Sequence, residues 1–317
     1  MSAPLYCGPE EIRRALAYPA CIAAMRAAMV ALSRGETRQL LRSIIPLEGG
    51  RAFGIMPGAL SAAGVFGAKL LSVDPGAPAR GGRSHQGVVV LFKANGEAIS
   101  AVLDAGEITA IRTGAASAAA TDALARPDAA RLAILGAGEQ AASHARAIAC
   151  VRRLSEIVIW GRSPDKARGL AERLGREISS EVRFHADAKQ AVSEADIICT
   201  VSGARDPILF SDWVKDGCHI NAVGSSVAGP AEIEPALVAR ARFIADHRAG
   251  VLAQGGEFLR AKEAGLIDDA HLAAEIGDVF SGVVPGRRSP SDVTIYKSLG
   301  HIVQDLAAAS LVIGELR

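Results

Sequence analysis

Hydrophobic and polar positions along this chain follow two rhythms. From residue 38 to 103 the apolar positions alternate, or run in short stretches broken by glycine. Strands are expected at 38–46, 51–56 and 64–73, and a hairpin joins 87–93 to 98–103 through the Ala94-Asn95-Gly96-Glu97 turn. Before them, residues 9–34 space their apolar positions as one or two amphipathic helices that stop before Gly35. A helix at 108–125 closes this part, and Arg126-Pro127-Asp128 marks a boundary. Strands at 132–135, 157–160, 182–184, 196–201, 218–223 and 241–245 then alternate with helices at 139–151, 165–174, 188–193, 249–264 and 270–280. That order predicts a mostly parallel sheet wrapped by helices. A last apolar run, 297–316, reads as one long helix. Packed back on the first part, it makes that part discontinuous.

Between the strand at 132–135 and its helix lies Gly136-Ala137-Gly138, followed by Glu139, Gln140 and Ala141. In this G-x-G-x-x-A spacing Gly136 permits a tight turn and Gly138 lets the backbone approach a pyrophosphate. Ala141 lets helix and strand pack closely, and the phosphates face the free N–H groups of the helix start. A glycine turn alone also fits an α/β domain that binds no nucleotide; the strand before it, the helix after it and the second strand favour a dinucleotide. That second strand ends at Gly161-Arg162-Ser163, with Lys166 a turn later and no carboxylate to hold a ribose 2′-hydroxyl. A guanidinium, a hydroxyl and an ammonium suit a 2′-phosphate, so NADPH is expected over NADH, which stays possible. The same residues make a helix start, with Ser163 as N-cap and Pro164 at the first helical position, and both readings hold together. The expected fold class is α/β: a Rossmann dinucleotide-binding domain at 118–292, plus a discontinuous α+β domain formed by 1–117 and 293–317.

Composition narrows the setting. The 317 residues carry 35 basic and 34 acidic side chains, a formal net charge of +1, with no basic block. That argues against nucleic acid or an anionic membrane surface as partner. The five cysteines are scattered without a C-x-x-C pair and read as reduced thiols. No uninterrupted apolar stretch is long enough to span a bilayer, and the early run at 16–32 is interrupted by Pro19 and Arg26. A cytoplasmic protein is the expectation. Seven histidines, His85 and His144 among them, show no metal-ligand spacing, and no metal is expected.

In open α/β sheets ligands bind beyond the carboxyl ends of the strands. Thr200-Val201-Ser202 and Val223-Gly224-Ser225-Ser226 lie at two such ends and are expected near a nicotinamide, although they also fit ordinary strand-to-loop turns. The first part contributes Arg42, Lys69 and Arg112, each isolated among apolar neighbours. Any one of them fits a cation snorkelling from a sheet edge. Together they suggest a site for a small carboxylate, with arginine clamps and a lysine that carries a proton.

With these stretches in hand, the chain resembles the ornithine cyclodeaminase/μ-crystallin family of NAD(P)-dependent enzymes. The matching segments are Met56-Pro57-Gly58, GAKLLSV around Lys69, ITAIRTGAASAAAT from Ile108, LGAGEQAASH from Leu135, INAVGSS from Ile220 and VTIYKSLGHIVQDLAAA from Val293. The resemblance spans nearly the whole chain. It implies a homodimer in which the first domain and the last helix form both the interface and the substrate site. It also implies that Arg42 and Arg112 bind an amino-acid carboxylate, that Met56 lines the substrate site, and that Lys69 is catalytic. Ser84, Thr113, Ser298 and Gly300 would assist cofactor or substrate binding.

One departure bears on the reaction. The resemblance implies a G-x-D-x-P-G-K segment in cyclodeaminases, whose aspartate handles an amine of ornithine. Here Ser226 stands at the aspartate and Pro230 at the lysine. A hydroxyl cannot serve as the anionic partner of a second ammonium group. The expected activity is therefore NADPH-dependent reduction of a cyclic imino acid, Δ1-pyrroline-2-carboxylate or Δ1-piperideine-2-carboxylate, to L-proline or L-pipecolate, with Ser226 bonding the ring nitrogen or a water. Ornithine cyclodeaminase, a related amino-acid dehydrogenase and an NADPH-binding protein without turnover are the alternatives.

Overall fold

The computed structural model of the chain describes residues 3–80, 82, 85–96 and 99–316, with the backbone alone at 78, 79 and 85. By internal contacts it divides into two compact units, Met1–Arg112 with His301–Arg317, and Thr113–Gly300.

In the first unit β1 (Leu5–Cys7) precedes α1 (Pro9–Ala15) and α2 (Tyr18–Ser33). Pro19 stands in the first turn of α2, Cys21, Ile22, Met25, Ala28, Met29 and Leu32 lie on its buried stripe, and Gly35 at φ +69° follows its end. The sheet comprises β1, β2 (Thr37–Gln39), β3 (Ser43–Pro46), β4 (Ala52–Leu60), β5 (Val65–Val73), β6 (His85–Lys93) and β7 (Ile99–Asp104). Its order is β1-β7-β6-β5-β4-β2, with β3 also on β4. The expected hairpin is present as antiparallel β6 and β7. β1, too short to show a pattern, joins β7 in parallel and makes the sheet mixed. α3 (Ala105–Leu124) then carries the chain out of this unit.

The second unit has an all-parallel sheet of eight strands in the order β10-β9-β8-β11-β12-β15-β13-β14. Along the chain its elements are β8 (Arg131–Leu135), α4 (Glu139–Ala149), β9 (Glu156–Trp160), α5 (Pro164–Gly175), β10 (Glu181–Phe184), α6 (Ala188–Val192), β11 (Ile197–Thr200) and β12 (His219–Ala222). They continue with α7 (Pro235–Arg240), β13 (Arg242–Ala245), α8 (Arg248–Gln254), α9 (Gly256–Glu263), β14 (Leu272–Glu275), α10 (Ile276–Phe280) and β15 (Thr294–Lys297). The central strands are buried on both faces, which is why they read as continuous apolar runs. Because β8 pairs with β9 on one side and β11 on the other, strand order reverses at β8. Dinucleotides bind at such a switch point.

Three expected helices differ. The segment 270–280 contains strand β14 before α10, because Leu272 and Ala274 are buried against β13. The segment 249–264 breaks into α8 and α9 at Gly255; a Cβ on the next residue, Gly256, would collide with the Pro230 carbonyl oxygen. The run 297–316 is not one helix from its start. Residues 294–297 are strand β15 between β12 and β13, the chain turns at Gly300 (φ +80°), and α11 (Ile302–Glu315) follows. β15 places 293–300 in the second unit, so the return to the first falls at 300/301 rather than 292/293, and the earlier division at 112/113 rather than 117/118.

Candidate active site

The first unit brings together cations that are remote in sequence. Lys69 lies mid-strand in β5, in register with Met56 on β4 and Val89 on β6, so all three share a buried face. Its Nζ donates to Thr109 Oγ1 at 2.6 Å and to Asp305 Oδ1 at 3.0 Å. Arg112, one turn beyond Thr109 on α3, donates from Nε to the same Asp305 oxygen at 3.0 Å and from Nη1 to Gln304 Oε1 at 2.8 Å. Gln304 also closes a capping box with His301, so the start of α11 and the Arg112 guanidinium are fixed by one side chain. α11 approaches β4 closely at Gly58, where a Cβ would lie 2.6 Å from Ile302 Cγ2.

Electrostatics follow from this packing. Burial pushes the Lys69 ammonium down to about 8; Asp305 opposes the shift, while Arg112 and Arg42 add to it. Asp305 is pulled upward by burial, but Arg112 and Lys69 outweigh this and hold its carboxyl below the usual range. Its Oδ2 is buried with no hydrogen-bond partner among the described residues. Two buried cations, with half-buried Arg42 near enough to act on Lys69, outnumber this carboxylate. Such an excess of positive charge suits a small anion, and a lysine titrating near neutrality suits proton transfer.

The second unit supplies the glycine turn. Gly136 has φ +149°, and a Cβ there would meet the Val201 carbonyl oxygen at 2.8 Å. Gly138 has open space where a Cβ would be and precedes α4 with no side-chain cap. Ala137 and Gly161 approach so closely that a Cβ on Gly161 would lie 2.9 Å from Ala137 Cβ, while Ala141 is fully buried. Glu139 and Gln140 begin α4, the first turn of which is tied to α3: His144 contacts the Gln140 carbonyl at 2.7 Å and Ser117 Oγ at 2.9 Å. Burial lowers the His144 pKa to about 4, so this histidine is neutral and structural. At the end of β9, Arg162, Ser163 and Lys166 are exposed, and the Ser163 hydroxyl makes no capping bond. The buried Thr113 and Ser298 hydroxyls have no partner among the described residues. An uncapped helix start, open space at Gly138 and orphaned hydroxyls fit a dinucleotide.

Some predicted residues have other engagements. Ser225 Oγ donates to the Pro230 carbonyl at 2.6 Å, and Ser202 Oγ donates to Glu232 at 2.7 Å, so both hydroxyls are used within the protein. Thr200, Val201 and Val223 are buried at the strand ends, and Ser226 is half-buried in the following turn. The Gly300 N–H donates to Asp246, whose carboxylate also receives the His247 and Leu299 N–H groups and thereby fixes the turn after Ser298. Ser84 lies outside the described residues. Asp305, Gln304, Thr109, Glu232, Glu257 and Asp246 are among the polar residues that sequence reasoning missed. Among the described residues no single helix is long and apolar enough to cross a membrane.

The family description "Ornithine cyclodeaminase/mu-crystallin family" matches residues 8–317. The chain belongs to this family. Membership makes it an NAD(P)H-dependent oxidoreductase, as the glycine turn and buried lysine suggest. It is 35% identical over 315 residues to the ketimine reductase mu-crystallin of Mus musculus, covering 98% of this chain and 96% of that protein. A structure of Thermococcus litoralis Delta(1)-pyrroline-2-carboxylate reductase in complex with NADH and L-proline superposes with a TM-score of 0.95 at 28% identity, covering 98% and 97% of the two chains. An archaeal alanine dehydrogenase dimer with bound NAD gives 0.91 at 26% identity, covering 98% and 95%.

Proposed function

We propose that this enzyme uses NADPH to reduce a cyclic imino acid, Δ1-pyrroline-2-carboxylate or Δ1-piperideine-2-carboxylate, to L-proline or L-pipecolate. The observation that carries the choice is the turn after β12. From Gly224 to Gly229 it holds no carboxylate, and the hydroxyl of Ser226 replaces the acid expected for handling a second amine.

Arg112 and Arg42 bind the substrate carboxylate and orient the C=N bond beside Lys69, with Met56 lining the ring. Asp305 and Gln304 hold the Arg112 guanidinium in place for this. The turn at 136–140, with Ala137, holds the pyrophosphate; Arg162, Ser163 and Lys166 hold a 2′-phosphate beyond Gly161. Thr113, Thr200, Val201, Ser202, Val223, Ser225, Ser298 and Gly300 surround the nicotinamide portion, Ser202 and Ser225 through their backbone. When bound, the reduced dinucleotide supplies a hydride, two electrons and a hydrogen nucleus, to the imine carbon. Lys69 gives its proton to the imine nitrogen as the C=N bond becomes C–N, and is recharged from solvent. Asp305 keeps that proton available by opposing the desolvation of Lys69. Ser226 bonds the ring nitrogen or a water next to it. The enzyme acts as a cytoplasmic homodimer.

A second reading, oxidative deamination of a simple amino acid, draws support from the likeness to the archaeal alanine dehydrogenase. Three assays separate the readings: NADPH oxidation with Δ1-pyrroline-2-carboxylate, ammonia release from L-ornithine with NAD⁺, and NAD⁺ reduction with L-alanine. Fast turnover in the first alone is expected. Ammonia and proline from ornithine would show that Ser226 suffices for cyclodeamination and overturn the reading; turnover of alanine alone would favour the dehydrogenase.

A further inference from the structure

At the carboxyl ends of β11, β12 and β15 the second unit buries a charged cluster to which the reaction above gives no role. Glu232 is fully buried. Its Oε1 accepts the Ser202 N–H and the Ser202 hydroxyl, each at 2.7 Å, and its Oε2 accepts the Gly224 N–H at 2.7 Å. A Cβ on Gly224 would lie 2.5 Å from this carboxylate, so the glycine is what lets the acid reach the turn. The Glu232 N–H donates to Glu257 Oε1 at 3.1 Å. Glu257 Oε2 lies 2.6 Å from Lys297 Nζ, and that ammonium donates to the Ser225 carbonyl at 2.5 Å. Glu257 and Lys297 are fully buried as well.

Bracing two turns needs acceptors; it does not need surplus charge, which burial penalises. Here two carboxylates face one ammonium, which among the described residues leaves one negative charge uncompensated. The nearby Arg260 is half-buried and spends its guanidinium on the Gly229 and Arg205 carbonyls and on Asp206. Every partner of the Glu232 carboxylate donates to it, so the anion is satisfied without a proton. Burial raises its pKa, and the Ser202 donors and Lys297 oppose that rise. A charge retained at such cost beside a ligand site has a use when the ligand changes charge. A nicotinamide ring does so: neutral when reduced, it becomes cationic once its hydride has left.

We propose that the Glu232–Glu257–Lys297 cluster positions the strand-end turns at Ser202 and Gly224, and that its surplus negative charge favours the oxidised, cationic nicotinamide over the reduced one. The cluster thereby assists hydride donation to the imine. This rests on the reading that these turns receive the nicotinamide.

The test is binding rather than turnover. Dissociation constants for NADPH and NADP⁺ are measured separately by calorimetry on the full chain and on Glu232→Gln, with thermal unfolding to show that the variant is folded. NADP⁺ affinity should fall by roughly tenfold more than NADPH affinity, the scale of one charge acting through protein. Glu257→Gln, which leaves the donors to Glu232 in place, should shift the ratio in the same direction and serves if the first variant does not fold. Equal weakening of both ligands would leave only the bracing role and overturn the charge proposal, as would no change in either. If the unaltered chain binds neither dinucleotide, the cofactor reading itself falls, a result distinct from an unmoved ratio.

Discussion

Lys69 meets Asp305 across 236 positions of sequence, and the pair makes the proposed proton transfer sensitive to pH. The ammonium is the acid, so reduction should decline as pH rises through about 8, where Lys69 loses its proton. Asp305→Asn removes the charge that holds the proton on while Arg112 and Arg42 still repel it. The alkaline limb of kcat should therefore move to lower pH, read from a pH–rate profile; an unmoved limb would detach Asp305 from the lysine. Lys69→Ala should lower kcat by about 100-fold or more, the usual scale for losing a general acid, with NADPH affinity nearly unchanged. Arg162→Ala should raise the KM for NADPH and leave that for NADH alone; parallel changes would argue against a 2′-phosphate contact. Lys69, Arg42 and Arg112 were legible because a single cation in an apolar run is conspicuous. Asp305 was not: it sits in an apolar helix, and only its partner, on a distant strand, reveals why an acid is there. Glu232 and Glu257 were hidden for a related reason, since one follows a loop and the other begins a helix where acids are common.

Glycine positions separate structural from ligand-binding roles in the βαβ elements. At Gly138 φ is −97° and a Cβ would have no neighbour within 4 Å, so Gly138→Ala should change stability by less than about 0.5 kcal/mol. Its NADPH affinity should nonetheless fall, because the added methyl occupies the approach to the pyrophosphate. Gly114→Ala should do the reverse. Its Cβ would lie 2.5 Å from Ser143 Oγ and 2.8 Å from the Ser143 carbonyl where α3 crosses α4, costing about 1–3 kcal/mol in a urea titration. If Gly138→Ala unfolds the chain instead, the glycine is structural. Periodicity located most strands of both units, since buried parallel strands and alternating antiparallel ones leave strong patterns. It failed at β14 and β15, where four-residue strands sit beside helices and the apolar run is continuous through both. Tertiary pairing, with β12 and β13 on either side of β15, decided those residues.

For the whole molecule, an apolar surface suits the homodimer proposed above. Leu40, Leu41, Ile44, Ile45 and Leu47 are 71, 48, 44, 49 and 46% exposed on and around β3, a concentration unusual for a free surface. The homodimer proposed above would cover this surface. Ile45→Glu should shift sedimentation velocity from dimer toward monomer; an unchanged dimer would place the interface elsewhere. Two-domain organisation was readable from the change of rhythm near residue 126, and the return of the chain from its apolar last segment. Where the return occurs was not, because β15 and α11 form one hydrophobic run. That return also orders events during synthesis. Lys69 and Arg112 leave the ribosome long before Asp305 and Gln304, and until α11 emerges Lys69 has only Thr109 of its two side-chain partners. The final stretch of this sequence thus closes both units at once, β15 filling the gap between β12 and β13 and α11 bringing Asp305 and Gln304 to strand and helix made long before.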